Sequence, residues 1–246
     1  MSEHPTRPAR PHPGKVWLVG AGPGAADLIT LRGAQILREA EIVLHDALVT
    51  PEILALCPQA ELISVGKRSG QRSMAQALIN QQIIDCAFRF DRIVRLKGGD
   101  PMLFGRADEE LNALEAAGIP YDIVPGITTA FAAAAAIKQP LTKRGVARNV
   151  AFFTSTTAPN EAHLAAMPAC DTLVQYMGGR EAIDTAHRLL ECGKPAETPV
   201  IAIENVSRSD QRIMRMTLAE MSQGLPECRG PVLVMIGEAL RARSPL

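Results

Sequence analysis

From Val16 onward the chain alternates short apolar runs with longer stretches of helical period, and no other feature restricts the fold as much. Residues 16–20, 41–45, 61–65, 92–96 and 121–124 have the length and aliphatic content of strands. Between them, residues 31–40, 51–57, 73–87 and 104–117 carry helical patterning, the last ended by Gly118. Strands that alternate with helices predict a mostly parallel sheet covered on both faces.

The rhythm breaks at Pro125-Gly126. Residues 128–137 continue as an alanine-rich helix, and residues 140–148 are polar, basic and irregular, as a linker would be. Strands are expected near 149–154, 172–176, 200–204, 212–217 and 232–236, with a helix over 181–192. The stretch 209–217 follows a strand with little room for a helix, so a hairpin is expected and the second sheet should be mixed. The expected organisation is a disordered leader over 1–14, an N-terminal α/β domain over 15–126, a connecting helix and linker over 127–148, and a C-terminal α/β domain over 149–246. The leader has four prolines and no apolar core of a signal peptide.

Composition removes several function classes. The formal net charge is zero and aromatic residues make up 4%, so neither a basic footprint nor a set of stacking platforms for nucleic acid is expected. The five cysteines are odd in number, widely spaced and lack a C-x-x-C pair, and the five histidines form no i, i+4 pair. A disulfide framework and a metal centre are therefore not expected. The longest uninterrupted apolar run, Ala130 to Ile137, is far shorter than a membrane span.

Chemistry is expected in the loops at strand ends. Gly20-Ala21-Gly22-Pro23-Gly24-Ala25 follows the first strand and Asp46 ends the second. Formally this fits G-x-G-x-x-A with an acid for a ribose hydroxyl. However, Thr30 is the better N-cap for the next helix, which leaves a gap where a pyrophosphate-binding helix should begin. A dinucleotide, another nucleotide-like ligand and a plain tight turn all remain open for this loop alone. Arg95-Leu96-Lys97-Gly98-Gly99-Asp100-Pro101 closes the fourth strand, where open α/β sheets bind ligands. Gly105-Arg106, Val65-Gly66-Lys67-Arg68, Pro125-Gly126-Ile127-Thr128-Thr129 and Pro140-Leu141-Thr142-Lys143-Arg144 are further candidates. Together they offer a basic set (Lys67, Arg68, Arg72, Lys97, Arg106, Lys143, Arg144 and Arg148) suited to carboxylates.

Taken in order, Val19-Gly20-Ala21-Gly22-Pro23-Gly24, Leu44-His45-Asp46, Val65-Gly66-Lys67-Arg68, Arg95 to Pro101, Phe104-Gly105-Arg106 and Pro125-Gly126-Ile127-Thr128 resemble the uroporphyrinogen-III C-methyltransferases of the tetrapyrrole methylase superfamily. The resemblance runs from about Val16 to Leu240. It implies two α/β domains with the active site in the cleft between them, usually in a homodimer; the cysteine usage, separately, leads to the expectation of a reducing compartment, the cytoplasm. The resemblance implies S-adenosylmethionine as cofactor, S-adenosylhomocysteine as its product, and no metal. Pro23, Gly98, Gly99, Asp100, Leu103, Thr128, Thr129, Met177 and Val206 match cofactor-contacting positions. Asp46 matches the proton acceptor, Lys67 the proton donor and Arg106 an arginine that meets substrate. The implied reaction methylates uroporphyrinogen III at C-2 and C-7, through monomethylated precorrin-1, to precorrin-2, which feeds sirohaem, cobalamin or haem d1 synthesis. Rival readings are another precorrin methylase, a dinucleotide-dependent oxidoreductase and a non-catalytic binder of the same fold. Three departures stand out: Ala107-Asp108 in place of a glycine pair, Lys143 in place of histidine, and Thr154-Ser155-Thr156 in place of Thr-Gly-His. With no dinucleotide-binding domain upstream, a fused dehydrogenase–ferrochelatase activity is not expected.

Overall fold

The computed structural model describes residues 8–65, 76–155 and 166–242. They fall into two compact α/β units that divide between Thr128 and Thr129.

The first unit contains β1 (Lys15–Gly20), α1 (Leu31–Glu39), β2 (Ile42–His45), α2 (Pro51–Leu54), β3 (Glu61–Ser64), α3 (Gln76–Ala87), β4 (Arg92–Lys97), α4 (Ala107–Ala116) and β5 (Tyr121–Val124). Its strands form one sheet in the order β3-β2-β4-β1-β5, every neighbouring pair parallel. The connections β1 to β2 and β2 to β3 run one way across the sheet; β3 to β4 and β4 to β5 run the other. Right-handed crossovers then put α1 and α2 on one face and α3 and α4 on the opposite face. The strand pleat divides the core accordingly. Val16, Leu18, Ile42, Leu44 and Ile93 pack with Ile79 and Ile83 of α3 and Leu114 of α4. Val19, Val43, Val94 and Leu96 pack with Leu37 of α1 and Ile53 of α2. Because β4 lies between β1 and β2, the order differs from the 3-2-1-4-5-6 of dinucleotide-binding sheets.

Thr30 caps α1 as expected, its Oγ1 accepting from Gly33 N at 3.1 Å. Two boundaries depart from the sequence reading. The expected disordered leader is tied down where it is described: Arg10 N and Gly14 N donate to Phe88 O and Ala87 O, and Arg10 Nη1 pairs with Asp91 Oδ1 at 2.5 Å. Gly14 lies so close to Phe90 O and Asp91 that a Cβ would clash with both. The helix expected from residue 104 starts at Ala107, because Phe104 and Arg106 are left-handed, with φ of 52° and 53°.

The second unit contains α5 (Thr129–Ile137), β6 (Val150–Phe153), β7 (Thr172–Gln175), α6 (Ala182–Glu191), β8 (Pro199–Glu204), β9 (Arg212–Thr217), α7 (Leu218–Met221) and β10 (Val232–Ile236). Its sheet runs β6-β7-β10-β8-β9. The β6–β7 pair is parallel and the others antiparallel, so this sheet is mixed and β8–β9 is a hairpin. The segment 127–148 does not stand apart as a connector: α5 packs against β10, and the basic loop closes through Lys143 N to Ala147 O (2.9 Å) and Ala147 N to Lys143 O (2.8 Å).

Candidate active site

Three glycine loops meet at the carboxyl edge of the first sheet. β4 and β1 are neighbours whose following helices go to opposite faces, which opens a crevice above them. There the β1 and β4 loops join through a two-bond bridge, Gly22 N to Gly99 O (3.1 Å) and Gly99 N to Gly22 O (2.7 Å). The β5 loop closes onto both. A Cβ on Gly20 would stand 2.6 Å from Gly126 Cα and 2.8 Å from Gly99 O, and one on Gly126 would overlap Gly99 O. The crowding, more than turn geometry, is what requires glycine here.

Asp100 fastens this junction. Its Oδ1 accepts from Met102 N at 2.8 Å and its Oδ2 from Gly126 N at 2.9 Å. The side chain read as an acceptor for a ligand thus first staples the β4 loop to the β5 loop, with lone pairs left over. Thr50 Oγ1, donating to Gly24 O at 2.9 Å, ties in the segment after β2. Pro23, Gly98, Gly99, Asp100, Leu103 and Thr128 therefore belong to one loop cluster, and Asp46 borders it through Asp46 N to Leu96 O at 3.2 Å. The exposed side chains of Leu48, Met102 and Phe104 add apolar surface from the same loops.

Asp46 is held from below. Arg95 Nη2 reaches its Oδ1 at 2.6 Å. Arg95 Nε and Lys97 Nζ in turn meet Glu110 Oε1 at 3.0 and 2.9 Å, and Lys97 Nζ also meets Oε2 at 2.9 Å. Three of these side chains are at most 4% exposed, against 30% for Asp46. Lys97, grouped with the basic set from sequence, turns inward. Burial, and then the Arg95 charge, push its pKa down, against the pull of Glu110.

Arg106 is mostly exposed and pairs with Glu109 at 2.7 and 2.8 Å, which holds its pKa up. Lys67, with Arg68 and Arg72, lies outside the described residues. Thr129, Met177 and Val206 belong to the second unit. There Met177, half-exposed after β7, has φ 58°, and buried Val206 sits between left-handed Asn205 (φ 53°) and Ser207 (φ 61°). Non-glycine residues in that region carry strain of about 1–3 kcal/mol each, and such strain concentrates at functional sites. Gln139, Gln175 and Glu110 went unremarked in the sequence, and Arg95 was named there only as part of its loop motif, without a role. Gln175 Nε2 donates to Ser155 Oγ (3.1 Å) and Thr185 Oγ1 (2.9 Å), so Ser155 of the departing Thr-Ser-Thr string serves an internal polar cluster. Among the described residues, no group of histidine, cysteine and carboxylate side chains could hold a metal ion, and no helix is long and apolar enough to cross a membrane.

The fold and this loop edge define a class: a two-unit α/β protein whose parallel sheet, with β4 inserted beside β1, ends in interlocked glycine loops. The chain belongs to the Tetrapyrrole (Corrin/Porphyrin) Methylases, whose family model matches residues 15–222. It is 44% identical over 233 residues to siroheme synthase 1 of Serratia proteamaculans, covering 92% of this chain and 48% of that protein. The chain spans about half the length of the curated relatives it matches. Among solved structures, it is similar to a uroporphyrin-III C-methyl transferase from Thermus thermophilus complexed with S-adenyl homocysteine. The TM-score is 0.82 and the identity 36%, with 93% of this chain and 94% of that chain covered. A cobalt precorrin-4 methyltransferase aligns with a TM-score of 0.75 and 25% identity, over 93% of this chain and 96% of that one.

Proposed function

We propose that this chain is an S-adenosylmethionine-dependent C-methyltransferase acting on uroporphyrinogen III at C-2 and C-7, by way of precorrin-1, to give precorrin-2. The carrying observation is the likeness to the Thermus enzyme across 93% of this chain and 94% of that one. The loop cluster fits the cofactor. Exposed Gly98 offers close backbone approach, with Gly99 and Pro23 proposed as contacts beside it; Leu48 and Phe104 offer apolar surface, and Asp100 keeps unused lone pairs. Leu103, Thr128, Thr129, Met177 and Val206 complete the proposed contacts. When bound, S-adenosylmethionine supplies an electrophilic methyl on a sulfonium; the new carbon–carbon bond forms as the carbon–sulfur bond breaks.

The residues of the chain then have three tasks. The loops hold donor and acceptor in line, which is worth most in a displacement that needs no covalent enzyme intermediate. Asp46 takes the proton that the methylated ring must lose, a role its partial exposure and its fixed Oδ1 suit. Arg106, and Lys67 as proton donor or carboxylate ligand, meet the acidic side chains of the substrate. The working form is proposed to be a cytoplasmic homodimer.

The test is methyl transfer from labelled S-adenosylmethionine with and without uroporphyrinogen III, the product read by mass. A doubly methylated product is expected. Methylation of a later corrin intermediate in preference to uroporphyrinogen III would transfer the assignment to another precorrin methylase.

A further inference from the structure

We propose that Glu110 is a positioning residue for Asp46 and acts through Arg95; the inference rests on Asp46 being the group that takes the substrate proton. Glu110 lies fully buried on α4 and collects donors from two elements: Arg95 Nε (3.0 Å) and Lys97 Nζ (2.9 Å) from β4, and Gln76 Nε2 (3.2 Å) from α3. Arg95 Nη1 is engaged by Leu96 O at 3.2 Å. A guanidinium is a rigid planar fork, so holding Nε and Nη1 determines where Nη2 points. It points at Asp46 Oδ1, 2.6 Å away.

The charges reinforce the geometry. Arg95 and Lys97 are balanced by Glu110 and Asp46, and of the four only Asp46 extends appreciably to the surface. Stability alone does not account for such a cluster, since apolar residues of like volume serve a core as well or better. The local backbone is also shaped for it. Left-handed Phe104 and Arg106 set where α4 begins, and hence which side chain it turns toward β4. A Cβ on Gly105, between them, would come within 3.1 Å of Lys97 Cε and 2.6 Å of Pro101 O.

The experiment compares the full chain with E110Q, D46N and E110Q/D46N, measuring kcat and KM for uroporphyrinogen III under excess enzyme where turnover is slow, and S-adenosylhomocysteine affinity by calorimetry. E110Q is expected to lower kcat by about 100-fold, the scale of an ångström's misplacement of a reacting group, with KM and S-adenosylhomocysteine affinity little changed. In the D46N background E110Q should change the rate by no more than about twofold, because nothing remains to be positioned. K97M/E110Q, which keeps the cluster neutral while reducing the hold on Arg95 Nε from a charge-assisted to a neutral hydrogen bond, should show the same kcat loss and serves if E110Q does not fold. Multiplicative losses in the double variant, or a folded E110Q or K97M/E110Q with unchanged kcat, would overturn the inference and leave the role of Asp46 standing. Full activity in D46N, or no methyl transfer by the wild type, would remove that role and this inference together.

Discussion

At Arg106 a long cationic side chain occupies a left-handed backbone, φ 53°, directly before α4. An L-residue there costs about 1–2 kcal/mol that glycine avoids. The ion pair it makes with Glu109 is exposed on both sides and returns little. Arginine at this position is therefore unfavourable for folding and needs a functional reason. Arg106→Gly is expected to leave the urea midpoint unchanged or raised, while KM for uroporphyrinogen III rises at least about tenfold, the scale of one lost charge-assisted contact. A variant less stable than wild type with unaltered KM would mean that Arg106 is a local structural residue. Gly126→Ala should behave oppositely. Its Cβ would overlap Gly99 O and stand 2.8 Å from Gly20 Cα, all of it backbone with no side chain to yield. Overpacking of this kind costs about 1–3 kcal/mol, so both the urea midpoint and S-adenosylhomocysteine affinity should fall.

At the level of elements, β8 and β9 carry a second charged feature outside the proposed chemistry. Buried Glu204 accepts from Gly230 N and Arg229 N at 2.6 Å each and pairs with Arg212 at 3.0 Å. Those bonds, the Gly230 amide first, hold its carboxyl below the usual range. A carboxyl depressed in the folded state contributes stability above its unfolded pKa and loses it as pH falls through the folded value. Urea midpoints followed from neutral pH through the carboxylate range should therefore drop more steeply for wild type than for Glu204→Gln; parallel curves would assign the acid sensitivity elsewhere. The alternation of strands and helices, the Thr30 cap and the β8–β9 hairpin were legible in the sequence, because each depends on local period or on one capping side chain. The start of α4 was not, since it depends on two residues held at positive φ by contacts of the folded loop. Arg95 and Lys97 are the instructive case. They share a strand face with Ile93, and in a parallel sheet covered by helices on both sides that face has no route to water. Two cations at such parity positions require a buried acid, and Glu110 is that acid. The spacing carried the signal, but the partner could be named only once α4 was placed.

For the whole molecule, the question the glycine-rich first loop left open is which ligand the chain selects. The strand order bears on it directly. With β4 between β1 and β2, the β1 loop is bridged to the β4 loop through Gly22 and Gly99, and α1 begins only at Leu31, after a short turn over Ala26–Leu28. A pyrophosphate bound as in dinucleotide folds needs that helix N-terminus immediately beyond the glycines. Here it meets neighbouring backbone instead. A ligand that binds the native state alone stabilises it by about 2.7 kcal/mol at a hundredfold excess over Kd, which for a chain of this size amounts to about 5–10 °C in Tm. S-adenosylhomocysteine is expected to produce a shift of that order, and NAD and FAD at equal concentration none. The Gly20→Ala variant sharpens the comparison, because its Cβ would press on Gly126 and Gly99 and disturb all three loops at once. It should lose the S-adenosylhomocysteine shift. A wild-type protein stabilised equally by NAD would mean that the loop cluster does not discriminate S-adenosylhomocysteine from a dinucleotide.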